Sequence, residues 1–265
     1  MKIEAGQVAV VTGGTSGIGF ALADVLVRRG VNVMIVDIRD DAIPVAVDAL
    51  SGHPGRAVGV RADVSVDADV DALADETVER FGRVDLVCNN AGVVCEQSPM
   101  WEQRLETWRW LIEVKLMGVV HGVRTFAPLF IAQGFGHFLN TASVGGLMPL
   151  PMLAPYNATM HAVVGLTETL NIELRSVSDH LGATVLCPGL VDTALGSNSF
   201  ALVPPGAAAT PTDPDSRMPD GAIKPAIVAE AAIEAVEAGR VHAIAGPGTD
   251  AVVRQRVDAL LADLV

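Results

Sequence analysis

Short apolar runs alternate along this chain with longer stretches in which apolar residues recur at helical spacing. Such short runs are typical of buried strands, and the stretches between them are typical of the helices that connect parallel strands. Strands are predicted near residues 7–12, 32–37, 57–61, 84–88, 136–142, 182–187 and 241–245. Helices are predicted from about Gly17 to Arg29 and near residues 67–81, 102–132, 154–178 and 225–238. This alternation predicts an α/β fold with a doubly wound parallel sheet of about seven strands and helices on both faces.

Residues 194–225 interrupt the alternation, because they include the proline-rich sequence VPPGAAATPTDPDSRMPDG. This composition does not fit a strand or a long helix, and a long irregular loop in a compact domain is usually a lid or a disordered segment. The segment follows the sixth predicted strand, at the carboxyl edge of the sheet where ligands bind in such folds. We therefore predict a single domain over residues 1–265, with a mobile lid over the ligand at residues 194–225.

The composition narrows the range of partners. The chain has a formal net charge of −13 and a sequence pI near 4.7, so nucleic acid and anionic membranes would be repelled. No stretch approaches the ~20 apolar residues that a membrane span needs, and the first strand begins too early for a preceding signal peptide. The cysteines and histidines lack the spacing of disulfide frameworks or metal sites. We expect a cytoplasmic protein with reduced thiols, no nucleic-acid partner, no membrane span and no catalytic metal.

The most informative segment is QVAVVTGGTSGIG at residues 7–19, where a buried strand runs through a glycine-rich turn into a helix. Gly13 and Gly17 permit the tight turn, and Gly19 allows the helix to pack closely. The free N–H groups and the positive dipole end of the helix then face whatever lies in the turn. The pyrophosphate of a dinucleotide fits such a cradle.

An acidic residue at the end of the second strand supports this interpretation. Asp37 follows the apolar run 31–36, at about the spacing where a carboxylate accepts hydrogen bonds from the adenosine ribose. Because a carboxylate there repels a 2′-phosphate, we predict NAD as the cofactor and favour NADP less. Arg39 is interpreted as a solvated loop charge, with a softening of the NAD preference as the alternative.

Further motifs follow in order along the chain: Asp63-Val64, NNAG at 89–92, Ser143, Tyr156 and PGLVDT at 188–193. With TGGTSGIG at 12–19 and Asp37, this series resembles the short-chain dehydrogenase/reductase family over nearly the whole chain. The resemblance implies a Rossmann-like fold. It also implies a homodimer or homotetramer, since the family commonly pairs its two long helices between subunits.

The same resemblance implies roles for individual residues. The cofactor site would be formed by Gly13, Thr15, Ser16, Gly17, Ile18, Gly19, Asp37, Asp63, Val64, Asn90, Ala91, Gly92, Tyr156, Pro188, Gly189, Val191 and Thr193. Ser143 would donate a hydrogen bond to the substrate oxygen. Tyr156 would transfer the proton as hydride passes to or from the nicotinamide ring.

The catalytic part of the sequence departs from the family's YxxxK pattern, because Met160 stands four positions after Tyr156. Residues at this spacing share one helix face, so the missing ammonium would have lain near the phenol and the nicotinamide ribose. A cation ~5 Å away, at an effective dielectric constant of ~20, lowers a phenol pKa by about two units. Its loss is expected to slow proton transfer on the order of a hundredfold.

A second departure suggests a compensation, because Lys115 stands where the family has a catalytic asparagine. Helical spacing predicts a core-facing stripe formed by Trp108, Leu111, Ile112, Lys115 and Val119. We therefore hypothesise that Lys115 replaces the lost cation. The alternative is a lysine that reaches the surface or pairs with a carboxylate such as Glu113.

The expected substrate is a small hydrophobic alcohol or ketone, because the residues around its predicted pocket are mostly apolar. They are the segment GGLMPLPMLAP at 145–155 and Val93, Val94, Cys95, Phe200, Leu202 and Val203. We predict an NAD(H)-dependent oxidoreductase that interconverts a hydrophobic secondary alcohol and its ketone through Ser143, Tyr156 and Lys115. The alternative is a non-catalytic NAD-binding protein that acts as a sensor or an oligomer partner.

Overall fold

The structure is a computed structural model, which describes residues 1–211 and 221–264. Within these residues, seven parallel strands form one sheet in the order β3-β2-β1-β4-β5-β6-β7. The strands are β1 (Val8–Thr12), β2 (Asn32–Asp37), β3 (Ala57–Arg61), β4 (Leu86–Asn89), β5 (Gly136–Thr141), β6 (Leu181–Pro188) and β7 (His242–Ala245). The predicted doubly wound parallel sheet is confirmed. Its strand order reverses between β1 and β4, which opens a crevice at the carboxyl edge of the sheet.

Helices cover both faces of the sheet. They are α1 (Gly17–Arg28), α2 (Ala42–Ala49), α3 (Asp67–Phe81), α4 (Leu105–Leu111), α5 (Gly118–Gln133), α6 (Ala154–Val177), α7 (Leu195–Leu202), α8 (Pro225–Glu237) and α9 (Thr249–Ala262). Buried apolar residues of α1, α2 and α8 pack on one face, and those of α3, α5 and α6 pack on the other. The helix α2 lies between the second and third strands, where a helix was expected without stated bounds. The sequence pattern did not predict α7 and α9, which bury few residues and so carry little periodicity.

The helix predicted near residues 102–132 is not uniform. A π-helical segment, Ile112–Met117, joins α4 to α5. Its wider turns rotate the residues that follow relative to an α-helical count. Ile112, at the start of this segment, is 36% exposed, so its predicted place in the core-facing stripe is wrong, whereas Leu111, Lys115 and Val119 are buried and Trp108 is half-buried.

The same helical stretch, Leu105–Gln133, is long and apolar enough by length and composition to cross a membrane, with a mean hydropathy of 1.3. The sequence pattern predicted no membrane span, so this candidate was not expected. In the fold, Leu111, Phe126 and Phe130 of this stretch are fully or almost fully buried in the apolar core. These buried residues account for part of its apolar character, since 33% of the apolar window is buried.

The predicted lid segment is more regular than expected. It begins with α7, and Ile223 forms a short parallel bridge with Val191. Between them, the amide of Ala208 donates to Thr107 Oγ1 (3.0 Å), which ties the segment to α4. Residues 212–220 of the predicted lid lie outside the described residues, and the mobility of the lid stays a prediction.

Candidate active site

The glycine-rich turn after β1 is as compact as its sequence predicts. Gly13 and Gly17 have φ angles of 62° and 54°, which disfavour residues with a side chain. A Cβ atom at Gly19 would collide with the Gly13 carbonyl oxygen, and one at Gly13 would lie 3.0 Å from the Ala91 Cα. The turn therefore leaves its backbone open to a ligand and brings α1 close to the end of β4.

The segment after β4 is braced against this turn. The Thr12 hydroxyl accepts hydrogen bonds from the amides of Asn90 (2.9 Å) and Ala91 (3.0 Å). The Asn90 side chain donates to the Thr12 carbonyl (3.0 Å) and accepts from the Thr141 hydroxyl (3.2 Å). The ends of β1, β4 and β5 are thus locked together at the floor of the crevice.

A cavity of about 1230 Å³ occupies the crevice. It exceeds the roughly 300–1,000 Å³ of ordinary ligand pockets, so it has room for a dinucleotide and a small substrate together. All the predicted site residues line it except Thr15 and Gly19. Thr15 instead bonds to Asp37, and Gly19 provides the close helix packing described above.

Asp37 is held ionised at one end of the cavity. Its side chain is buried, and burial alone would raise its pKa. Hydrogen bonds from Arg39 Nε (3.2 Å to Oδ1) and the Thr15 hydroxyl (2.5 Å to Oδ2) outweigh burial and lower the pKa below its usual value. Arg39 is thus part of the site, and its interpretation as a solvated loop charge is wrong.

The loop after β3 forms the next part of the wall. The Asp63 carboxylate accepts hydrogen bonds from the amide (2.9 Å) and hydroxyl (2.6 Å) of Ser65. A ring nitrogen of His121 lies 2.9 Å from the Val64 carbonyl oxygen. The sequence analysis did not assign His121, because its partner is a backbone atom and leaves no motif.

Ser143 and Tyr156 lie together in the inner part of the cavity. Ser143 follows β5 and its hydroxyl accepts a hydrogen bond from the Gly145 amide (3.1 Å). Tyr156 lies in the first turn of α6 and is 9% exposed. Burial raises the pKa of the phenol, and the nearby Ser143 hydroxyl acts in the opposite direction.

Lys115 points into the cavity from the π-helical segment. Its side chain is 4% exposed, and its Nζ lies 5.6 Å from the centroid of the Tyr156 ring. A Cβ atom at Gly92 would lie 2.5 Å from this Nζ, so the ammonium rests against the NNAG backbone. Burial lowers the pKa of Lys115 to about 8. Among the described residues no carboxylate pairs with it, so the alternatives of a surface lysine or a Glu113 pair do not describe its position.

Met160 takes no part in this polar arrangement. Its side chain is fully buried, in an apolar cluster that also contains Leu111, Val163 and Cys187. The position of the family's lysine is therefore filled by a thioether. Lys115 approaches Tyr156 from a different helix.

The wall beyond Ser143 and Tyr156 is mainly apolar. It is formed by Val93, Val94, Trp110, Val114, Leu150 and Leu202. The predictions for Cys95, Phe200 and Val203 are wrong, because none of them lines the cavity, and of the predicted segment 145–155 only Leu150 does. Cys95 is buried in the core, and Phe200 is 47% exposed on the outer side of α7.

A cavity at the switch point of a doubly wound sheet, with a glycine cradle and a buried carboxylate on its wall, defines a dinucleotide-binding protein. The chain belongs to the short-chain dehydrogenase family, which matches residues 7–202. The predicted family is confirmed, and the protein is an enzyme of the oxidoreductase class with a nicotinamide dinucleotide as cofactor.

Individual relatives agree with this assignment. The chain is 37% identical to 1-deoxy-11-beta-hydroxypentalenate dehydrogenase of Streptomyces avermitilis, over 70% of this chain and 68% of that protein. It is 32% identical to the CLA biosynthesis dehydrogenase/reductase of Lactiplantibacillus plantarum, over 81% of this chain and 74% of that protein. A crystal structure of a short-chain dehydrogenase/reductase from Burkholderia phymatum in complex with NAD superimposes with a TM-score of 0.90. It is 35% identical, and the match covers 100% of this chain and 97% of that chain.

Proposed function

We propose that the protein is an NAD(H)-dependent oxidoreductase that interconverts a hydrophobic secondary alcohol and its ketone, with Ser143, Tyr156 and Lys115 as its catalytic residues. The observation that carries this proposal is the buried Lys115 ammonium beside the Tyr156 ring. It supplies a positive charge in the part of the cavity where the YxxxK lysine is missing. Cytoplasmic location and a homodimer or homotetramer stay predictions.

The residues present fit a dinucleotide. The backbone of the glycine turn would hold the pyrophosphate, Asp37 the adenosine ribose, Asp63 and Val64 the adenine, and residues 188–193 the nicotinamide end. The bound cofactor would supply or accept a hydride at its nicotinamide ring. Because the ionised Asp37 would lie beside the 2′ position, we favour NAD over NADP, with Arg39, which pairs with Asp37, softening this preference.

The chain's own residues handle the substrate oxygen and its proton. Ser143 donates a hydrogen bond to the oxygen and so orients it. The Tyr156 phenol gives a proton to that oxygen in reduction and takes it back in oxidation. Burial raises the pKa of the phenol, so this exchange needs a nearby charge that favours the phenolate.

Lys115 is suited to provide that charge. An ammonium with a pKa of about 8 remains mostly protonated at neutral pH. Without a carboxylate partner among the described residues, its field is not cancelled locally. At the 5.6 Å that separates Nζ from the centroid of the Tyr156 ring, and at an effective dielectric constant of ~20, such a charge stabilises a phenolate by about 3 kcal/mol.

The apolar wall supports a hydrophobic substrate. Val93, Trp110 and Leu150 offer contact area and no hydrogen-bonding group apart from the indole N–H. A relative that acts on a hydroxypentalenate is consistent with a hydrophobic alcohol. The few polar groups in this region, Ser143 and Tyr156, would then define where the reacting oxygen binds.

A turnover assay with paired variants tests the proposal. NADH oxidation is followed with a panel of hydrophobic cyclic and aliphatic ketones, and NADH binding is measured separately. Lys115→Met should lower kcat on the order of a hundredfold and leave NADH affinity within a few-fold, since only the charge near Tyr156 is lost.

A double variant provides the matched control. Lys115→Asn combined with Met160→Lys restores the family's arrangement and should recover activity, whereas Met160→Lys alone would place two cations in one site, where they repel. Unchanged turnover of Lys115→Met would contradict the role of Lys115. NADH binding without turnover of any alcohol or ketone would favour the non-catalytic alternative.

A further inference from the structure

The lid helix α7 reaches across the cavity to the opposite wall. Asn198 of α7 accepts a hydrogen bond from Arg39 Nη1 (2.9 Å) and donates one from Nδ2 to Ser16 Oγ (3.2 Å). Arg39 Nη2 donates to the same Ser16 oxygen (3.2 Å). Arg39 follows β2 and Asn198 follows β6, which are separated by three strands in the sheet. Side chains from distant parts of the fold therefore meet above the glycine turn.

These contacts determine in which direction the Ser16 hydroxyl can donate its proton. A serine oxygen has two lone pairs and carries one proton. Arg39 and Asn198 both donate to this oxygen, so its lone pairs are occupied and its proton must point elsewhere. In the part of the chain that the structure describes, no group accepts this proton. Ser16 lines the cavity and precedes α1, where helical N–H groups also favour an anion.

Several further hydrogen bonds hold the Arg39 side chain in this position. Its Nε and its backbone amide donate to Asp37 Oδ1 (3.2 and 3.1 Å), and Nη2 also donates to the Thr15 hydroxyl (2.7 Å). The guanidinium is thus fixed on the Asp37 side before it reaches Asn198. Because a planar guanidinium fixed at one edge presents its other edge in a defined direction, Arg39 determines where Asn198 can bind.

We infer that Asn198 is a further residue of the dinucleotide site, which acts with Arg39 to orient the Ser16 hydroxyl toward a phosphate oxygen of the bound cofactor. The inference rests on the dinucleotide cofactor of the proposed function. Since Asn198 lies on α7, the position of this helix and the orientation of the Ser16 hydroxyl are linked. Loss of the Asn198 contacts should therefore weaken the hold on the cofactor.

Stopped-flow release of NADH, followed by the fluorescence of NADH itself, tests the inference without any substrate. Asn198→Ala should raise the release rate about tenfold, the effect of one hydrogen bond to a charged group. Ser16→Ala should raise it by a similar factor. The double variant should release NADH no faster than the faster single variant, because Asn198 acts through Ser16.

Two further variants test whether Asn198 acts by orienting the Ser16 hydroxyl or only by attaching α7 to Arg39. Asn198→Asp keeps an acceptor for Arg39 but loses the donor to Ser16, so it should also release NADH faster than the wild type. Arg28→Ala is the charge control, because Arg28 pairs with Asp24 on its own helix and lies outside the cavity. It should leave the release rate unchanged, and the urea midpoints of all variants should match that of the wild type.

The outcomes distinguish this inference from the proposed function. Wild-type release rates in Asn198→Ala or Asn198→Asp, or additive effects of Asn198→Ala and Ser16→Ala, would overturn the inference while leaving the cofactor assignment intact. A wild-type protein that binds neither NADH nor NADPH would overturn both. Normal NADH release behaviour without turnover of alcohols or ketones would count only against the proposed substrate chemistry.

Discussion

Lys115 places a positive charge in the protein interior, where burial disfavours the charged form of the side chain. Its side chain is 4% exposed, and burial lowers its pKa from 10.5 to about 8. Below pH 8 the folded protein must therefore accommodate an ammonium that would be better solvated in the unfolded chain. If this charge serves catalysis, as we propose, the site is maintained at a cost in stability.

Replacement of Lys115 should consequently stabilise the fold. We expect Lys115→Met, which brings an apolar side chain of similar length, to raise the free energy of unfolding at neutral pH by up to about 3 kcal/mol, from a pKa difference of about 2.5 units. Urea denaturation of both proteins without cofactor measures this difference.

The pH dependence of the difference provides the control. Between pH 8 and 10.5 the unfolded chain holds a proton on Lys115 that the folded protein has lost, so wild-type stability rises with pH. The difference in the free energy of unfolding between Lys115→Met and the wild type should therefore become smaller as pH rises over this interval. If Lys115→Met is less stable than the wild type at neutral pH, burial of the Lys115 ammonium does not destabilise the folded protein, and the prediction is wrong.

Gly92 gives a second test at the residue scale. A Cβ atom at this position would lie 2.5 Å from Lys115 Nζ and would displace the ammonium from its place beside Tyr156. Gly92→Ala should lower kcat on the order of tenfold to a hundredfold, as expected for a displaced catalytic group. Steady-state assays of NADH oxidation measure the loss. In the background of Lys115→Asn with Met160→Lys, where no ammonium rests on Gly92, the same substitution should have a much smaller effect.

At the scale of elements, a buried polar chain joins β5, β6 and the start of β7. The Thr184 hydroxyl donates to the Arg240 carbonyl (2.7 Å), so it accepts its bond with the His137 Nε2 (2.9 Å) as an N–H donor. The other ring nitrogen of His137 faces the Gly182 backbone. Burial, and to a lesser extent the positive charges of the N-terminus and Arg175, lower the pKa of His137 to about 3.

This arrangement predicts acid sensitivity of the sheet. His137 stays neutral in the folded protein and binds a proton in the unfolded chain below pH 6.5, so stability is complete above that pH and falls as pH drops toward 3. The contribution of this one group is about 1.4 kcal/mol per pH unit. Urea unfolding of the wild type and of His137→Gln, which keeps a donor for Thr184 but does not titrate, should show a slope difference of that size. Parallel slopes would contradict it.

At the scale of the whole molecule, large apolar side chains remain exposed on α6. Ile172 and Val177 are 72% and 57% exposed. Such exposure is consistent with the expectation that long helices pair between subunits. Sedimentation velocity should show a dimer or tetramer that Ile172→Glu weakens, whereas Val45→Glu on α2, at a residue 69% exposed, should not change it. A monomeric wild type would contradict the expectation.

Much of the architecture could be predicted because strands buried on both faces are continuous apolar runs. All seven strands lie within a few residues of their predicted bounds, and the glycine turn has the positive φ angles that its sequence implies. The helices α7 and α9 were missed because they bury few residues. Ile112 was misplaced at the start of a π-helical segment, for which the sequence carries no signal.

The sequence by itself determined the family, the sheet, the cofactor cradle and the inward direction of Lys115, since each depends on local spacing of residue types. Only the tertiary structure decided that Lys115 approaches Tyr156 against Gly92, that Arg39 belongs to the site, and that Asn198 meets Ser16. These contacts join residues far apart in the chain. Their geometry depends on how the strands are ordered and how α7 crosses the cavity, which no local pattern encodes.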